Sequence, residues 1–234
     1  MLELRRATPA DAPDIAHLMQ IVWPDDTASA SAIASLIEAG DRCTLLVVDG
    51  RRLAGFCDAF ATTAGDGATR WEIDLLAVHP AFRGRGLARS LIHAATVEGR
   101  ERGLAYARGL VRTDNQPARR AFAAAGYAAS TQAQRLYVLT APPTADETAN
   151  DTGNIISVRT FAYYGVWIEG EINGQTVAAA ARACARNGGW IIGAVIPAEA
   201  TGAMAAAERH GFSPIGDYHW WEQSITTGAA PARR

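Results

Sequence analysis

A strand, a glycine-rich loop and a helix follow one another between Glu72 and Ala95, and this feature constrains the chain more than any other. The run Glu72 to Val78 is apolar enough for a buried strand, and Arg89 to Ala95 has apolar residues at helical spacing. Between them lies Arg83-Gly84-Arg85-Gly86-Leu87-Ala88. Its glycines let a ligand approach the backbone, and the first amides of the helix have no internal partner. Such a helix start binds anions, and a diphosphate is the usual occupant.

The identity of this loop matters, because glycine-rich turns alone are weak signals. It is not a Walker loop, since no Gly-Lys-Ser/Thr follows, and Arg83 occupies the place of the first glycine in a dinucleotide fingerprint. Arg83, Arg85 and Arg89 add positive charge around the helix start. The alternative interpretation is an arginine-rich solvated turn.

The segment from Leu76 to Ala88 closely resembles motif A of the GCN5-related N-acetyltransferase (GNAT) family, whose Arg/Gln-x-x-Gly-x-Gly/Ala is met by Arg83, Gly86 and Ala88. The resemblance implies acetyl-CoA as co-substrate and no metal. It also implies that the neighbouring strand splays away, so that the backbone of Leu76 to Val78 pairs with the pantetheine like an extra strand. The expected coenzyme-binding residues are Leu76, Ala77, Val78, Arg83, Gly84, Arg85, Gly86, Leu87, Ala88, Arg89 and Asn115.

The order of elements from Leu2 to Thr140 is also that of this family. We therefore predict an α/β (α+β) GNAT fold, with a mixed central sheet flanked by helices. The predicted strands are Leu2–Thr8, Thr44–Val48, Arg52–Phe60, Glu72–Val78, Tyr106–Val111 and Arg135–Thr140, and the predicted helices are Asp11–Val22, Ser29–Glu38, a third ending at about Arg102, and Gln116–Ala125. The last strand is expected to close the domain.

A second family pattern, Asn-x-x-Ala followed by an aromatic residue and Gly-Phe, is met by Asn115, Ala118, Phe122, Gly126 and Tyr127. Asn115 is a simple helix cap on its own chemistry, and the resemblance adds a place beside the coenzyme. Phe122 departs from the family, because many members carry a tyrosine there that protonates the leaving thiolate. Phenylalanine has no proton to give. Another group or water must supply it, or the thiolate leaves unaided.

The resemblance implies direct attack of an amine on acetyl-CoA, and an alkylammonium must first lose a proton to a base. Glu72 and Asp74 are two residues apart on the motif strand, so their side chains are predicted to share one face. Glu72 sits where many members place an acidic residue facing the acceptor. We predict Glu72 as base or ammonium anchor, with Asp74 as the next candidate. The alternative is that these carboxylates only bound the solvated end of the strand.

The sequence predicts a second, smaller part of the chain. We expect a GNAT domain at 1–140, a linker at 141–154, a degenerate GNAT-like half-domain at 155–225 and a disordered tail at 226–234. The predicted elements of the half-domain are strands Ser157–Trp167, Trp190–Ile196 and Tyr218–Ile225, and helices Gln175–Arg186 and Glu199–Arg209. An unrelated small appendage is the alternative.

A constant offset along the chain relates the two parts, because the same shift sets Gly126 against Gly211 and Val111 against Ile196. Applied to the phosphate loop, this offset puts Ile168 opposite Arg83 and Glu171 opposite Gly86. We therefore expect Glu169 and Glu171 to repel a diphosphate, so that the second part does not bind coenzyme A.

Aromatic residues concentrate on two strands of the second part. They are Tyr163, Tyr164, Trp167, Trp220 and Trp221. Such residues can wall an acceptor pocket or an interface, although most aromatic residues on strands are simply core.

Composition bounds the remaining classes. The net charge of −2 predicts no nucleic-acid partner, and the lack of an apolar amino-terminal segment or membrane span predicts a cytoplasmic protein with no membrane partner. Three scattered cysteines predict reduced thiols without metal-ligand spacing, with covalent catalysis by Cys57 as a minor alternative. A homodimer is left open.

Three functions remain. The favoured one is an N-acetyltransferase acting on a small primary amine, such as an amino acid or an aminoglycoside, in a ternary complex. The second is an acetyltransferase for a protein amino terminus or lysine. The third is a non-catalytic acyl-CoA-binding or sensing protein, in which Phe122 marks lost catalysis. The sequence leaves the acceptor and the acyl-chain preference undetermined.

Overall fold

The computed structural model describes residues 1–25, 28–63, 67–140 and 154–226. Its helices are α1 (Ala12–Val22), α2 (Ala30–Ala39), α3 (Leu87–Glu101), α4 (Gln116–Ala124), α5 (Gly174–Arg186) and α6 (Thr201–Arg209). Its strands are β1 (Leu2–Arg6), β2 (Arg42–Asp49), β3 (Arg52–Thr63), β4 (Thr69–Val78), β5 (Tyr106–Arg112), β6 (Ala128–Ala129), β7 (Gln134–Leu139), β8 (Asn154–Arg159), β9 (Tyr164–Glu169), β10 (Ile191–Pro197) and β11 (Ser213–Ser224). The predicted mixed α/β fold with a central sheet flanked by helices is confirmed. The linker predicted at 141–154 and the tail at 226–234 lie almost wholly outside the described residues.

All described strands join one sheet in the order β1-β2-β3-β4-β5-β11-β7-β10-β9-β8, with the short β6 paired to β11. β11, at the end of the chain, lies antiparallel to β5, with Trp221 opposite Gly109. β7 of the first part lies antiparallel to β10 of the second part, with Tyr137 opposite Ala194. Each part therefore completes the sheet of the other with its last strand.

This strand exchange corrects one prediction, that the strand Arg135–Thr140 closes the first domain. The strand forms, but its side chains pack elsewhere: Tyr137 and Leu139 of β7 belong to the core formed with α5 and α6. Trp221 of β11 belongs instead to the core formed with α3 and α4. Burial of these large side chains across the exchange makes the two parts mutually dependent.

A third core lies under α1 and α2, where Ile15, Leu18, Ile33 and Phe56 are almost completely buried. Phe161, from the connection between β8 and β9, joins this core and lies 6.3 Å from the ring of Phe56. The second part therefore also contacts the first through its amino-terminal end.

The strand predicted at Ser157–Trp167 is wrong in one respect, because the structure divides it into the antiparallel hairpin of β8 and β9. Thr160 makes the turn: its Oγ1 accepts hydrogen bonds from the amides of Ala162, at 3.2 Å, and Tyr163, at 3.0 Å. A threonine that binds nearby backbone amides in this way competes with continued strand pairing.

Candidate active site

The loop before α3 has the geometry of an anion site. Gly84 and Gly86 both adopt left-handed backbone conformations, with φ of 77° and 76°, which side chains other than glycine adopt at a cost. Gly86 caps α3, and its carbonyl accepts from the amide of Ser90 at 3.1 Å. The amides before Ser90 therefore start the helix without intrahelical partners, at the positive end of its dipole.

The arginines of the loop surround this helix start. Arg83, Arg85 and Arg89 are exposed. The Arg83 Nε donates to the carbonyl of Val78 at 3.3 Å, and the Arg85 guanidinium lies 5.2 Å from the centre of the buried Phe82 ring. These contacts hold two cations close to the end of β4 and leave the loop open to a ligand.

β4 and β5 separate where the resemblance predicts it. They pair in parallel only from Arg70 to Glu72, opposite Tyr106 to Arg108. β4 then continues to Val78, so the backbone of Leu76 to Val78 has no described strand partner on its β5 side. That edge is available for a ligand that pairs like a strand.

The second helix near the expected coenzyme site begins at Asn115. The Oδ1 of Asn115 accepts from the amide of Ala118 at 3.1 Å, which confirms the predicted helix cap. The place of Asn115 beside the coenzyme stays a prediction.

Phe122, on α4, is buried in the core. Its ring centre lies 5.2 Å from that of Tyr127 in an edge-to-face contact, and a Cβ on Gly109 would come within 2.6 Å of the Phe122 ring. The nearby phenol is already engaged, because the Tyr127 hydroxyl and the Thr96 hydroxyl are 2.7 Å apart. Burial also raises the pKa of Tyr127 above its usual value. Phe122 therefore has no hydroxyl to protonate the leaving thiolate, and the hydroxyl of the neighbouring Tyr127 is already hydrogen-bonded to Thr96.

Glu72 lies at the centre of a buried ion cluster. It is 3% exposed, and the Arg108 Nε donates to its Oε2 at 2.9 Å. The Thr62 hydroxyl donates to Oε1 at 2.5 Å, and the Arg70 Nε lies 3.4 Å from the same oxygen. Two arginines and a threonine thus engage this carboxylate, which is the environment of a structural anion.

The second part of the chain completes the cluster through Glu169, at the end of β9. Arg70 Nη1 donates to Glu169 Oε2 at 2.7 Å, and Arg108 Nη2 donates to Oε1 at 2.6 Å. These two arginines also hold the pKa of Glu169 below its usual value against the opposing effect of burial. Glu169 therefore joins the two parts electrostatically.

This position of Glu169 shows that the constant offset between the two parts fails at the phosphate loop. In the parallel pair of β9 and β10, Gly165 lies opposite Ile191, and in the parallel pair of β4 and β5, Arg70 lies opposite Tyr106. Fewer residues separate the paired positions in the second part than in the first. Only 170–173 lie between β9 and α5, and the counterpart of the glycine-rich loop is missing rather than acidic. Ile168, predicted to lie opposite Arg83, is instead a buried residue of β9.

Asp74 occupies a β-bulge in β4. Asp58 on β3 pairs with Leu75 and Ala59 pairs with Ile73, which leaves Asp74 as the extra residue. Bulges are frequent beside active sites because they redirect a side chain and end regular pairing. Here the bulge lies just beyond Glu72, the last β4 residue that pairs with β5.

The Asp74 carboxylate is poorly compensated. The residue is half-buried, and its Oδ2 is shielded from solvent with no hydrogen-bond partner. The pKa of Asp74 is raised to about 7, mainly by burial and also by the charges of Asp58 and Glu72, while the charge of Arg42 opposes the rise. A carboxyl group with this pKa can both take up and release a proton near neutral pH.

Glu72 and Asp74 both line a cavity of about 390 Å³, and Ile73 between them lines it too because the bulge interrupts the regular alternation of side chains. Residues of both parts of the chain line it: Glu72, Ile73, Asp74, Arg108, Leu110, Leu136, Tyr163, Trp167, Ile168, Glu169, Gly170, Gly193, Val195, Tyr218 and Trp220. The cavity begins where β4 and β5 separate and extends across β11, β7 and β10 to β9.

Three of the five aromatic residues singled out in the sequence reach this cavity, namely Tyr163, Trp167 and Trp220. Trp221 lies in the core with Phe122, their ring centres 6.3 Å apart. Tyr164 instead stacks with Arg159, whose guanidinium carbon lies 5.1 Å from the Tyr164 ring centre.

Sequence reasoning missed Arg108, Glu169 and Tyr218 as wall residues of the cavity. A signal for Arg108 exists, since a charged residue inside the predicted strand Tyr106–Val111 requires a buried partner. No local signal places Glu169 or Tyr218 beside it, because Tyr218 lies on the exchanged strand β11 and Glu169 comes from β9 of the second part.

The described residues contain neither a cluster of metal ligands nor a membrane-spanning helix. Within 1–25, 28–63, 67–140 and 154–226, no group of three or more His, Cys, Asp and Glu residues is placed to hold a metal ion. Over the same ranges, no helix has both the length and the apolar character that a membrane span requires.

Comparison with known proteins assigns the family. Residues 12–127 match the family model described as the acetyltransferase (GNAT) family. No curated protein sequence matches the chain.

Three solved structures share the fold. A GCN5-related N-acetyltransferase from Sphaerobacter thermophilus has a TM-score of 0.60 at 18% identity, covering 97% of this chain and 96% of its own. A tandem GNAT protein from the clavulanic acid biosynthesis pathway has a TM-score of 0.61 at 15% identity, covering 97% and 100%. A GNAT-family acetyltransferase from Streptococcus pneumoniae covers 58% of this chain and 89% of its own, with a TM-score of 0.51 at 19% identity.

Residues 12–127 therefore form an acetyltransferase domain of the GNAT family, which uses acetyl-CoA as its acyl donor. The fold similarity to a tandem GNAT protein extends over nearly the whole chain, which agrees with the predicted second GNAT-like part.

Proposed function

We propose that the protein transfers the acetyl group of acetyl-CoA to the primary amine of a small molecule bound in the cavity between its two parts. One observation carries this proposal: a cavity with aromatic walls contains an uncompensated carboxylate, Asp74, at the point where β4 and β5 separate. A pocket of this size with a few convergent polar groups is typical of a small-molecule site.

We place the acyl donor, acetyl-CoA, at the opposite end of the gap between β4 and β5 from the acceptor cavity. The helix start at Gly86 and the arginines around it supply amides and positive charge for the diphosphate. The free edge of Leu76 to Val78 pairs with the pantetheine, and one of its amides polarises the thioester carbonyl. The acetyl group then lies between the loop and the cavity.

Asp74 is proposed as the base in preference to Glu72. Glu72 is held by Arg108, Arg70 and Thr62, so proton uptake there would leave the buried arginines undercompensated. Asp74 has an unpartnered oxygen and a pKa of about 7. It takes a proton from the acceptor ammonium, directly or through a water.

The amine nitrogen then attacks the thioester carbon, the C–N bond forms and the C–S bond breaks. The coenzyme leaves as a thiolate, and water supplies its proton. A thiol with a pKa of about 8.5 is acidic enough to leave without an acid at Phe122. Covalent catalysis by Cys57 does not fit, because the residue is fully buried and burial raises its pKa well above the usual value.

The alternative acceptors remain a protein amino terminus or lysine, and a non-catalytic sensing role remains the other class. Residues of β9 and β10 from the second part line the cavity. A cavity bounded in this way leaves less room for a peptide than an open groove would. Turnover with any amine would exclude the sensing role.

The first test is calorimetric titration of the purified chain with acetyl-CoA, followed by release of free thiol in the presence of a panel of amines. We expect saturable binding and thiol release that depends on the amine. Binding without release from any small amine, but with release from a peptide, would contradict the small-molecule acceptor.

The coenzyme site itself is tested by Gly86→Glu. We expect loss of acetyl-CoA binding, because the substitution adds bulk and negative charge at the helix start. Gly188→Glu is the matched control: Gly188 also has a positive φ, of 67°, with no atom within 4 Å of an added Cβ, and it lies far along the chain at the end of α5. Unchanged affinity in Gly86→Glu would refute the assignment of the loop.

A further inference from the structure

We propose that the cavity selects an acceptor with a single positive charge on an apolar or aromatic body, and that it excludes amines that also carry a carboxylate or many hydroxyl groups. This inference rests on the proposed function for the role of its ligand. It follows from the charges, the hydrogen bonds and the walls of the cavity, taken in turn.

The charged groups of the cavity compensate one another with one exception. Glu72 and Glu169 are balanced by Arg70 and Arg108 in a cluster whose contacts measure 2.6–3.4 Å. Asp74 remains as a carboxylate with an unpartnered, shielded oxygen. The cavity therefore presents one excess negative charge when Asp74 is ionised.

The charges behind Asp74 do not alter this balance. Arg42 and Asp58 form their own buried pair, with Nη1 and Oδ2 2.7 Å apart, and Thr44 donates to the other Asp58 oxygen at 2.6 Å. Arg42 also donates to the carbonyl of Arg159 at 2.6 Å. A single cation near Asp74 is thus the charge that this environment lacks.

Two tryptophans of the wall are engaged by other residues of the protein. The indole Nε1 of Trp167 donates to the Tyr163 hydroxyl at 2.9 Å. The face of Trp220 is covered by Arg108, whose guanidinium carbon lies 3.9 Å from the ring centre. These contacts hold the two indole rings in place, and the indole N–H of Trp167 is not available to a ligand.

The rest of the wall is apolar. Ile73, Leu110, Leu136, Ile168 and Val195 line it, and about 390 Å³ is near the lower end of the range for small-molecule pockets. A body with apolar surface gains from burial here, whereas each hydroxyl without a partner loses its water.

The charge balance that favours a monoamine disfavours an amino acid as the acceptor. Its carboxylate would need a cation, and Arg70 and Arg108 already face Glu72 and Glu169. A buried carboxylate without a partner is strongly unfavourable. An aminoglycoside brings several charges and many hydroxyls to a cavity that has one unpaired carboxylate.

The test compares three ligands of one shape on the full chain, by calorimetry with and without saturating CoA. The ligands are 2-phenylethylamine, the neutral 2-phenylethanol and phenylalanine, which adds a carboxylate. We expect the amine to bind at least about tenfold more tightly than either of the others, as a charged hydrogen bond contributes a factor of that order. Asp74→Asn should remove the difference between the amine and the alcohol.

A second variant tests the apolar wall without touching a charge. Val195→Trp fills the cavity and should weaken binding of 2-phenylethylamine by about tenfold or more, as expected for loss of a buried apolar contact. Glu199→Gln, an exposed carboxylate outside the cavity, is the control and should leave binding unchanged. Thermal unfolding establishes that each variant is folded.

Equal binding of the amine and the alcohol, tighter binding of phenylalanine, or no binding of 2-phenylethylamine would overturn the inference. Acetylation of an amino acid or an aminoglycoside without binding of 2-phenylethylamine would overturn it while leaving the transferase intact. Binding of 2-phenylethylamine that depends on Asp74 but gives no thiol release would support the ligand class and count against the proposed function.

Discussion

Asp74→Asn separates the role of one carboxylate in catalysis from its effect on stability. Asparagine has nearly the same shape as aspartate, but its amide neither ionises nor accepts the proton of an ammonium. The oxygen Oδ2 of Asp74 has no partner to lose, so the substitution breaks no hydrogen bond of that atom. The effects on catalysis and on stability therefore come from removal of the charge, with the cost of burying unpaired amide hydrogens reducing the gain in stability.

The effect on stability follows from the sign of the pKa change. Folding raises the pKa of Asp74 from 3.8 to about 7, so the wild type gains stability from the neutral acid below the lower value and loses it as pH rises to the upper value. The change corresponds to at most about 4 kcal/mol. Asp74→Asn should therefore gain stability relative to the wild type between pH 4 and pH 8, by up to that amount, in urea denaturation.

The effect on activity has the opposite direction. Wild-type kcat/KM for the amine should fall about tenfold per pH unit below pH 7, because the base of the free enzyme is then protonated. Asp74→Asn should lower kcat by about 10²–10⁴ and remove this acid limb of kcat/KM. Thiol release from acetyl-CoA over a range of amine concentrations at each pH measures both, and Glu199→Gln should behave as the wild type.

Two results would exclude these roles of Asp74. An unchanged kcat and acid limb in Asp74→Asn would exclude Asp74 as the base. A stability difference between the variant and the wild type that stays constant from pH 4 to pH 8 would show that Asp74 does not titrate with a raised pKa.

Three further predictions concern the cluster, the exchanged strands and the core. Glu72→Gln should destabilise the protein by about 3–5 kcal/mol in urea denaturation, because it leaves two buried arginines with one carboxylate, while the acid limb of kcat/KM persists. A lost limb with unchanged stability would restore Glu72 as the base. The fragment 1–140 should fail to unfold cooperatively, since β5 loses β11 as its neighbour. A sharp thermal transition of the fragment would contradict this. Gly109→Ala should lower the free energy of unfolding by about 1–3 kcal/mol, because its Cβ would lie 2.6 Å from Phe122. The control Gly202→Ala meets no atom within 4 Å, so equal effects of the two substitutions would show that the contact with Phe122 is not the cause.

The local features of the site could be predicted from the sequence. The loop from Arg83 to Ala88 is contiguous, and its glycines and its position between a strand and a helix depend on neighbouring residues alone. The cap at Asn115 is local in the same sense. Each of these rests on spacing within one element.

The order of preference between Glu72 and Asp74 could not be predicted in this way. It depends on Arg108 and Glu169, which reach Glu72 from another strand and from the second part of the chain. The bulge at Asp74 is set by pairing with β3, and no turn residue marks it in the sequence. Burial and charge balance are properties of the assembled sheet.

The exchange of β7 and β11 escapes sequence reasoning for a related reason. Both strands have suitable alternation for either neighbour, and nothing local to Tyr137 or Trp221 specifies which core receives it. The constant offset between the two parts fails where the second part lacks the phosphate loop, because the chain between the paired strands is shorter there. A constant offset between two repeats predicts equivalent residues only where neither repeat has lost a segment.

A crystal structure of the protein with CoA and a bound primary amine tests the proposed site most directly. We expect the diphosphate at the amides of Gly86 to Arg89, and the amine nitrogen about 2.7–3.2 Å from an Asp74 carboxylate oxygen, or one water away, inside the cavity between the two parts. An amine bound outside this cavity, or held by Glu72 with Asp74 remote from it, would show that the site is assigned wrongly.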